Sequence, residues 1–133
     1  MQSEILMQNE YVTLWYHPEH KIIHHRFEKS ADSTSHRTML TKGAECLEKF
    51  KATKWLSDDR NHVVVREEDA IWGQKEWSPR VIRAGFKFWA IVLPHTAIGK
   101  LNLRRLAEEH AKLGVTVKTF TDVDAAMEWL QAA

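Results

Sequence analysis

The chain has 133 residues, of which 44% are hydrophobic and 28% are charged, and its 19 basic and 18 acidic residues leave a formal net charge of +1. A chain of this length forms one domain and buries roughly 65–70% of its unfolded surface, so neither a disulfide nor a metal is needed to hold a core. The near-neutral charge excludes a strong field for nucleic acid or an anionic membrane, and we expect no nucleic-acid partner.

Cysteine use and hydropathy indicate a cytoplasmic protein. Cys46 is the single cysteine and cannot form an internal disulfide, which is typical of a reducing compartment. No apolar run approaches the ~18 residues of a membrane span, so we expect no membrane insertion. Residues 1–10 lack the apolar stretch of a signal peptide, and we expect them to be an N-terminal extension before a single domain at residues 11–133.

Two β-rich runs near the start predict a β-hairpin. They are Tyr11–Tyr16 and Ile22–Phe27, and Pro18 between them supplies a turn residue with a preset φ. If residues 17–20 form the turn, Leu14 lies opposite Ile23. The alternation then predicts a core face made of Val12, Leu14, Ile23 and Phe27.

Helical and strand patterns then alternate. Spacings of three and four residues predict a first helix with an inward stripe at Met39, Leu40, Gly43, Leu47 and Phe50. A short strand follows at Lys54–Ser57, and a helix is predicted at residues 67–84. Pro79 interrupts that helix, so either the helix kinks there or Ser78 caps a second segment with Pro79 at its first position.

The last third of the chain repeats the alternation. The apolar run Phe88–Leu93 predicts a central strand that is covered on both faces. A helix is predicted at residues 102–113 with Gly114 as its C-terminal cap, followed by a strand at residues 115–120 and a helix capped by Asp122. The inward positions predicted for these two helices are Leu103, Leu106, Ala107, His110 and Leu113, then Val123, Ala126, Met127 and Leu130.

The order β-β-α-β-α-β-α-β-α predicts an α/β fold. We expect a mixed, mainly parallel sheet of about five strands, with an N-terminal β-hairpin and about four helices. If all the helices cover one face, the other face shows Trp15 and Ile22 beside one side of the run Phe88–Leu93. A bare apolar patch of that size is unusual for a monomer and favours a homodimer.

A dense polar segment, the polar corner, follows the Lys54–Ser57 strand. It consists of Ser57, Asp58, Asp59, Arg60 and Asn61. Because open α/β folds bind ligands at the carboxyl ends of parallel strands, these residues are candidates for contacts with a ligand or partner. The alternative is structural, since Asp and Asn cap turns and Asp pairs with Arg. We expect the corner to lie on the rim of the domain.

Other chemistry-bearing residues are less specific. The chain has eight histidines, but His24 and His25 are adjacent in a strand and point to opposite faces, so we predict no metal site. Cys46 lies in a helical pattern and is expected to be packed. Without a nucleophile motif or a Gly-rich phosphate loop, we predict no catalytic residue and no cofactor. Trp72 is either a partly buried ring or an anchor for a partner.

Three segments of the chain are KWLSDDRN, REEDAIWGQKEWSPRVIRAGFKFWAIVLP and VKTFTDVDAAMEWL. Together they resemble SpoIIAA-like proteins, which are relatives of the STAS (sulfate transporter and anti-sigma factor antagonist) domain. The resemblance implies a β-α superhelix with helices mostly on one face, and a binding or regulatory module instead of an enzyme. Members of the family carry a phosphorylated Ser or Thr in an Asp-x-Ser stretch. Asn61 stands at that position here, so the resemblance predicts a module without phosphorylation at the usual site.

Three functional hypotheses follow. The first is a non-catalytic regulatory or protein-interaction module whose polar corner and Trp72 contact a protein of unknown identity. The second is a carrier of a small apolar ligand or lipid between the helices and the sheet. The third is an enzyme, which would require a deep pocket with two or more converging titratable groups.

Overall fold

The computed structural model describes residues 2–62 and 65–133 and has the expected α/β fold. Within these residues the sheet has six strands in chain order, the first three antiparallel and the remaining pairs parallel. The mixed, mainly parallel sheet and the N-terminal hairpin are thereby confirmed. The strands are β1 Glu4–Gln8, β2 Val12–His17, β3 Ile22–Phe27, β4 Lys54–Asp58, β5 Phe88–Val92 and β6 Thr116–Phe120.

The sixth strand comes from the segment that we expected to be an extension. Glu4–Gln8 forms β1 at the edge of the sheet and pairs antiparallel with β2, with a register irregularity between Ile5 and Met7. A short turn joins the two strands, because the Asn9 side-chain oxygen accepts hydrogen bonds from the N–H groups of Tyr11 and Val12 at 2.8 and 3.0 Å. Asparagine commonly makes such turns, but one asparagine is a weak signal in a sequence.

The register predicted for the β2–β3 hairpin is wrong by two residues. Leu14 lies opposite His25 and Tyr16 lies opposite Ile23, because the turn occupies residues 18–21 and not residues 17–20 as predicted. Lys21 ends that turn with a φ of 53°, in the left-handed region. Since a shift of two residues keeps every side chain on its face, the predicted core face is confirmed: Val12, Leu14, Ile23 and Phe27 are all buried.

The helices lie on both faces of the sheet. They are α1 Ser33–Phe50, α2 Glu67–Trp72, a π-helical turn Gly73–Trp77, α3 Ser78–Arg83, α4 Ala97–Lys112 and α5 Val123–Ala132. The first face carries α1, the α2–α3 run and α4, whereas α5 packs against β4 and β5 on the second face. No helix in the described ranges is both long and apolar enough to cross a bilayer.

The position of α5 corrects the expectation of a bare second face. Ile22 is 1% exposed because it packs in one cluster with Ala126 and Leu130 of α5. Trp15 is half-buried, and the guanidinium of Arg26 lies 4.9 Å from its ring centroid. The apolar patch on which we based a homodimer is therefore largely covered within the chain itself.

The helical run from residue 67 to residue 83 contains Pro79, and the π turn before this proline lets the run continue. Ser78 does not cap a new helix: its φ and ψ are −58° and −47°, and its N–H bonds to the carbonyl of Gly73. Proline has no N–H and crowds the preceding turn, and the wider π turn absorbs this conflict. The turn also brings the neighbouring residues Trp77 and Ser78 both into the interior, where each is 6% exposed.

The boundaries of α4 differ from the prediction, whereas α5 agrees with it. The helix α4 begins at Ala97, five residues earlier than predicted, because the Thr96 hydroxyl accepts the N–H of Gly99 at 3.1 Å. Leu113, predicted to point inward, is 54% exposed because α4 ends at Lys112. Asp122 caps α5 as predicted.

The contact between Gly43 of α1 and Trp55 of β4 sets how closely the helix approaches the sheet. A Cβ atom added at Gly43 would meet the ring carbon Cη2 of Trp55, nearer than van der Waals contact allows. Trp55 is 1% exposed and has other aromatic rings around it, so it cannot move away freely. The absence of a side chain at Gly43 therefore lets α1 lie on the indole.

We expect Gly43→Ala to lower the free energy of unfolding by about 1–3 kcal/mol, the usual cost of overpacking a core. The matched control is Gly73→Ala, because a Cβ there meets nothing within 4 Å and the φ of −58° suits any residue. The control should be neutral or stabilising by up to about 1 kcal/mol. Urea unfolding monitored by tryptophan fluorescence measures both variants, and equal stabilities for the two would contradict the packing role of Gly43.

Candidate functional site

A cavity of about 460 Å³ lies between the carboxyl ends of β3, β4 and β5 and the helices on the first face. This volume is within the range of small-molecule sites, about 300–1,000 Å³. The sheet forms its floor, α1 and the α2–α3 run form one wall, and α4 forms the other. At the mouth the side-chain amide of Gln74 donates to the carboxylate of Glu109 at 3.0 Å, which links the two walls.

The polar corner does not lie on the rim as predicted. Ser57, Asp58 and Asp59 are 1%, 2% and 5% exposed, because β4 extends to Asp58 and the Asp59 N–H then bonds to the Val92 carbonyl at 3.1 Å. Alternation along the strand separates the segment into two parts. Ser57 and Asp59 line the cavity, whereas Asp58 faces the other side of the sheet.

A buried hydrogen-bond chain runs along the cavity floor from Trp55 through His25 to Asp59. The indole N–H of Trp55 donates to Nδ1 of His25 at 2.9 Å, and Nε2 of His25 lies 2.8 Å from Oδ1 of Asp59. Because an indole nitrogen can only donate, Nδ1 carries no proton, so Nε2 carries it and donates to the carboxylate. His25 is therefore neutral, and its contact with Asp59 is a hydrogen bond to a neutral ring.

Two further tryptophans lining the cavity also donate within the protein. The indole N–H of Trp89 donates to the Ser57 hydroxyl at 2.7 Å, and that of Trp77 donates to the Leu40 carbonyl at 3.0 Å. All three tryptophans pack against Phe86, and Trp77 also packs against Trp55 and Trp89, with ring centroids 5.3 to 6.2 Å apart. These contacts hold the rings in fixed positions beneath the cavity.

His62 is the unusual group of the cavity wall. It is 6% exposed, yet neither of its ring nitrogens has a hydrogen-bond partner among the described residues. Its ring stacks on Phe27 with centroids 4.0 Å apart and lies 5.6 Å from the ring of His36. Burial lowers the pKa of His62, and burial together with the nearby imidazoles lowers the pKa of His36 to about 4, so both rings are neutral at pH 7.

A second buried acid, Asp69, lies on α2 and has its own cation. The guanidinium of Arg37 donates to Oδ1 at 2.8 Å, and the Ser33 hydroxyl donates to Oδ2 at 2.9 Å. Burial alone would raise the pKa of Asp69, but these hydrogen bonds outweigh it and the pKa is lowered. Asp69 is therefore an ionised acid whose charge is neutralised by α1.

At the far wall, Ser78 and His110 join α3 to α4. Nδ1 of His110 lies 3.0 Å from the Leu106 carbonyl and must carry the proton, so Nε2 accepts from the Ser78 hydroxyl at 2.9 Å. This is the orientation in which an imidazole can take a proton from a serine. The surroundings do not assist such a step, because the Ser78 N–H bonds to Gly73 and Pro79 has no N–H with which to stabilise an oxyanion.

The remaining predicted site residues lie outside the cavity. Asp58 accepts two bonds from the Arg60 guanidinium, at 2.8 and 2.7 Å, and one from the Arg60 N–H at 3.4 Å; together these outweigh the effect of burial and lower the pKa of Asp58. Asn61 is exposed in the following turn. Trp72 is half-buried beneath Arg37, whose guanidinium lies 5.3 Å from the ring centroid, and it belongs to the edge of the core.

Other residue types give no competing site among the described residues. No three His, Cys, Asp or Glu side chains of the described ranges are arranged to hold a metal ion. His24 points away from the cavity, as the alternation along β3 predicted, and bonds to His17 at 3.0 Å. Cys46 is 5% exposed, and burial raises the pKa of its thiol to about 11, which suits a packed thiol.

Comparisons with protein-family models, curated proteins and solved structures found no match. The similarity to SpoIIAA-like proteins therefore stays a prediction from the three quoted segments. The site rests on this chain's own geometry: a cavity with an aromatic floor, one buried carboxylate bonded to a neutral histidine, and one buried histidine without a partner.

We expect Asp59→Ala to lower the free energy of unfolding by about 1–3 kcal/mol, because it leaves the buried N–H of His25 without an acceptor. Asn61→Ala is the control, since the exposed side chain should change stability by no more than about 0.5 kcal/mol. Urea unfolding midpoints measure both. An Asp59→Ala variant as stable as the control would show that the Trp55–His25–Asp59 chain does not support the fold.

We also expect stability to fall as the pH is lowered from about 6.5 to 4.5. Burial lowers the pKa of His24 to about 3 and that of His36 to about 4, so the unfolded chain takes up protons first in this range. The carboxylates of Asp58 and Asp69, whose pKa values are lowered, reduce the stability only at lower pH. Each pKa unit corresponds to about 1.4 kcal/mol.

Urea unfolding at half-unit pH steps measures this loss. His24→Phe keeps a ring beside Trp15 but removes one titrating group, and it should reduce the slope. A free energy of unfolding that stays constant from pH 7 to pH 4.5 would contradict the neutral state of the buried histidines.

Proposed function

We propose that the protein binds a small, largely apolar organic molecule in the cavity between the sheet and the helices of the first face. The observation that carries the proposal is His62, which is buried on the cavity wall while both of its ring nitrogens lack a partner within residues 2–62 and 65–133. A buried polar group without a hydrogen bond costs about 1–3 kcal/mol. A bound molecule that bonds to this ring would recover that free energy.

The other walls support the same conclusion. Met39, Leu103 and Leu106 give the cavity apolar sides, and the tryptophan floor is held rigid by its internal hydrogen bonds. Ligand sites combine such a surface with a few fixed polar groups that orient the ligand. The proposal corresponds to the carrier hypothesis drawn from the sequence, with the polar contacts moved from the rim to the interior.

Burial argues against a protein-interaction surface at the whole polar corner. Asp58 and Asp59 are nearly inaccessible, which leaves Arg60, Asn61 and the half-buried Trp72 for contacts with another protein. A regulatory role of the kind implied by the SpoIIAA-like resemblance is compatible with ligand binding, because an occupied cavity would alter the α2–α3 wall beside Trp72. In that role the ligand binds in the cavity first, and the exposed surface then contacts the other protein.

The cavity also contains the converging titratable groups that we required for an enzyme hypothesis. Two features favour binding over catalysis. Both ring nitrogens of His25 are occupied by Trp55 and Asp59, so His25 has no free nitrogen for a proton transfer. Ser78 has a base beside it but no backbone donor for a developing negative charge.

Blocking the cavity tests the proposal. Leu103→Trp places a larger ring in the cavity, and Leu101→Trp is the matched control because Leu101 is 57% exposed on the same helix. We expect compounds that raise the melting temperature in a small-molecule screen to lose their effect on Leu103→Trp and keep it on Leu101→Trp. Native mass spectrometry of the purified protein provides an independent test for a ligand that is already bound.

The proposal fails if the screen yields no stabilising compound and no ligand co-purifies. It also fails if every stabilising compound acts equally on the two variants, because binding would then lie elsewhere.

A further inference from the structure

The cavity lining has more negatively charged side chains than positively charged ones. Among the described residues, four carboxylates line the cavity, those of Asp59, Glu67, Asp69 and Glu109, against one guanidinium, that of Arg105. Arg105 is exposed at the mouth, as is Glu67. In the interior, the charge of Asp69 is already neutralised by Arg37, which leaves Asp59 as the acid to consider.

Asp59 lacks a compensating positive charge from its histidine. It is 5% exposed, and the Trp55 indole forces His25 to meet it as a neutral ring. A buried carboxylate is costly unless a cation or several hydrogen bonds compensate it. A positive charge in the cavity would provide this compensation.

Several of the donors that an anionic ligand would need are already engaged within the protein. The three indole N–H groups beneath the cavity all donate to protein acceptors, and the Ser78 hydroxyl donates to His110. The neutral ring of His62 offers one acceptor nitrogen as well as one donor, and an ammonium group can bond to that acceptor. Tryptophan rings are also the best aromatic partners for a cation.

We propose that the ligand of the cavity is an organic monocation, an amine whose apolar body lies on the tryptophan floor and whose ammonium group lies between Asp59 and His62. This inference rests on the proposed function and adds the chemical class of the ligand. Asp59 supplies the charge, and His62 supplies a neutral acceptor. The aromatic floor accommodates the body.

Three compounds with one indole body and different charges test the inference. They are tryptamine, which is cationic, 3-ethylindole, which is neutral, and indole-3-propionate, which is anionic. Isothermal titration calorimetry on the full chain at pH 7 should show tryptamine binding about tenfold more tightly than 3-ethylindole. Indole-3-propionate should bind most weakly.

Variants locate the effect. Asp59→Asn keeps an oxygen that can accept from His25 but removes the charge, so it should abolish the preference for tryptamine and change 3-ethylindole binding by less than about twofold. Glu45→Gln removes an equal charge from the exposed face of α1 and is the control. His62→Phe keeps the stacking on Phe27 and should weaken tryptamine binding by about fivefold.

Each outcome decides the inference. If tryptamine does not bind, if 3-ethylindole or indole-3-propionate binds as tightly, or if Asp59→Asn keeps the preference, the ligand is not an organic cation. The proposed function is judged separately by Leu103→Trp and Leu101→Trp. It stands if neutral compounds bind to the unaltered chain and to Leu101→Trp but not to Leu103→Trp. The comparison of three compounds on the unaltered chain decides the matter even if Asp59→Asn does not fold.

Discussion

The hydrogen bond from the Trp55 indole to His25 is the constraint on which the site depends. An indole nitrogen donates and never accepts, so this one bond fixes the tautomer of His25 and directs its proton to Asp59. The same tryptophan contacts Gly43, and that contact sets the distance between α1 and the sheet. Trp55 thus determines both how closely α1 packs on the sheet and the charge state of His25 on the cavity floor.

The fold was largely predictable because it follows from local patterns. Alternation along β2 and β3 identified the core face even though the register was shifted by two residues, since such a shift preserves the faces. Asp122 predicted the start of α5 correctly because a helix cap depends on a local hydrogen bond. The edge strand β1 was missed because it is defined by its pairing with β2. The π turn was missed because Pro79 indicates a disturbance of the helix but not the form that the disturbance takes.

The site was predictable only in part, for the same physical reason. The end of β4 was correctly identified as a place where polar groups gather, but their burial depends on partners from other strands: His25 on β3 and Trp89 on β5. The alternation that separates His25 from His24 was visible, and it could have placed His25 on the core face with Phe27. No pattern around His62 indicates that its ring is buried, because its burial comes from stacking with Phe27 and His36, which lie far away in the sequence.

The π turn allows two adjacent residues of one helical run to point inward. Neighbouring residues of a regular α-helix are separated by about 100° around its axis, whereas Trp77 and Ser78 at the end of the π turn are both 6% exposed. A π turn contains one residue more than the α-helical turn it replaces, so each completes about one turn and the faces of α2 and α3 stay aligned. A deletion of one residue within Gly73–Trp77 would restore regular winding and leave one inward side chain where there are now two, so the compartment would lose either the indole or the hydroxyl through the removal of a residue that need not touch its contents.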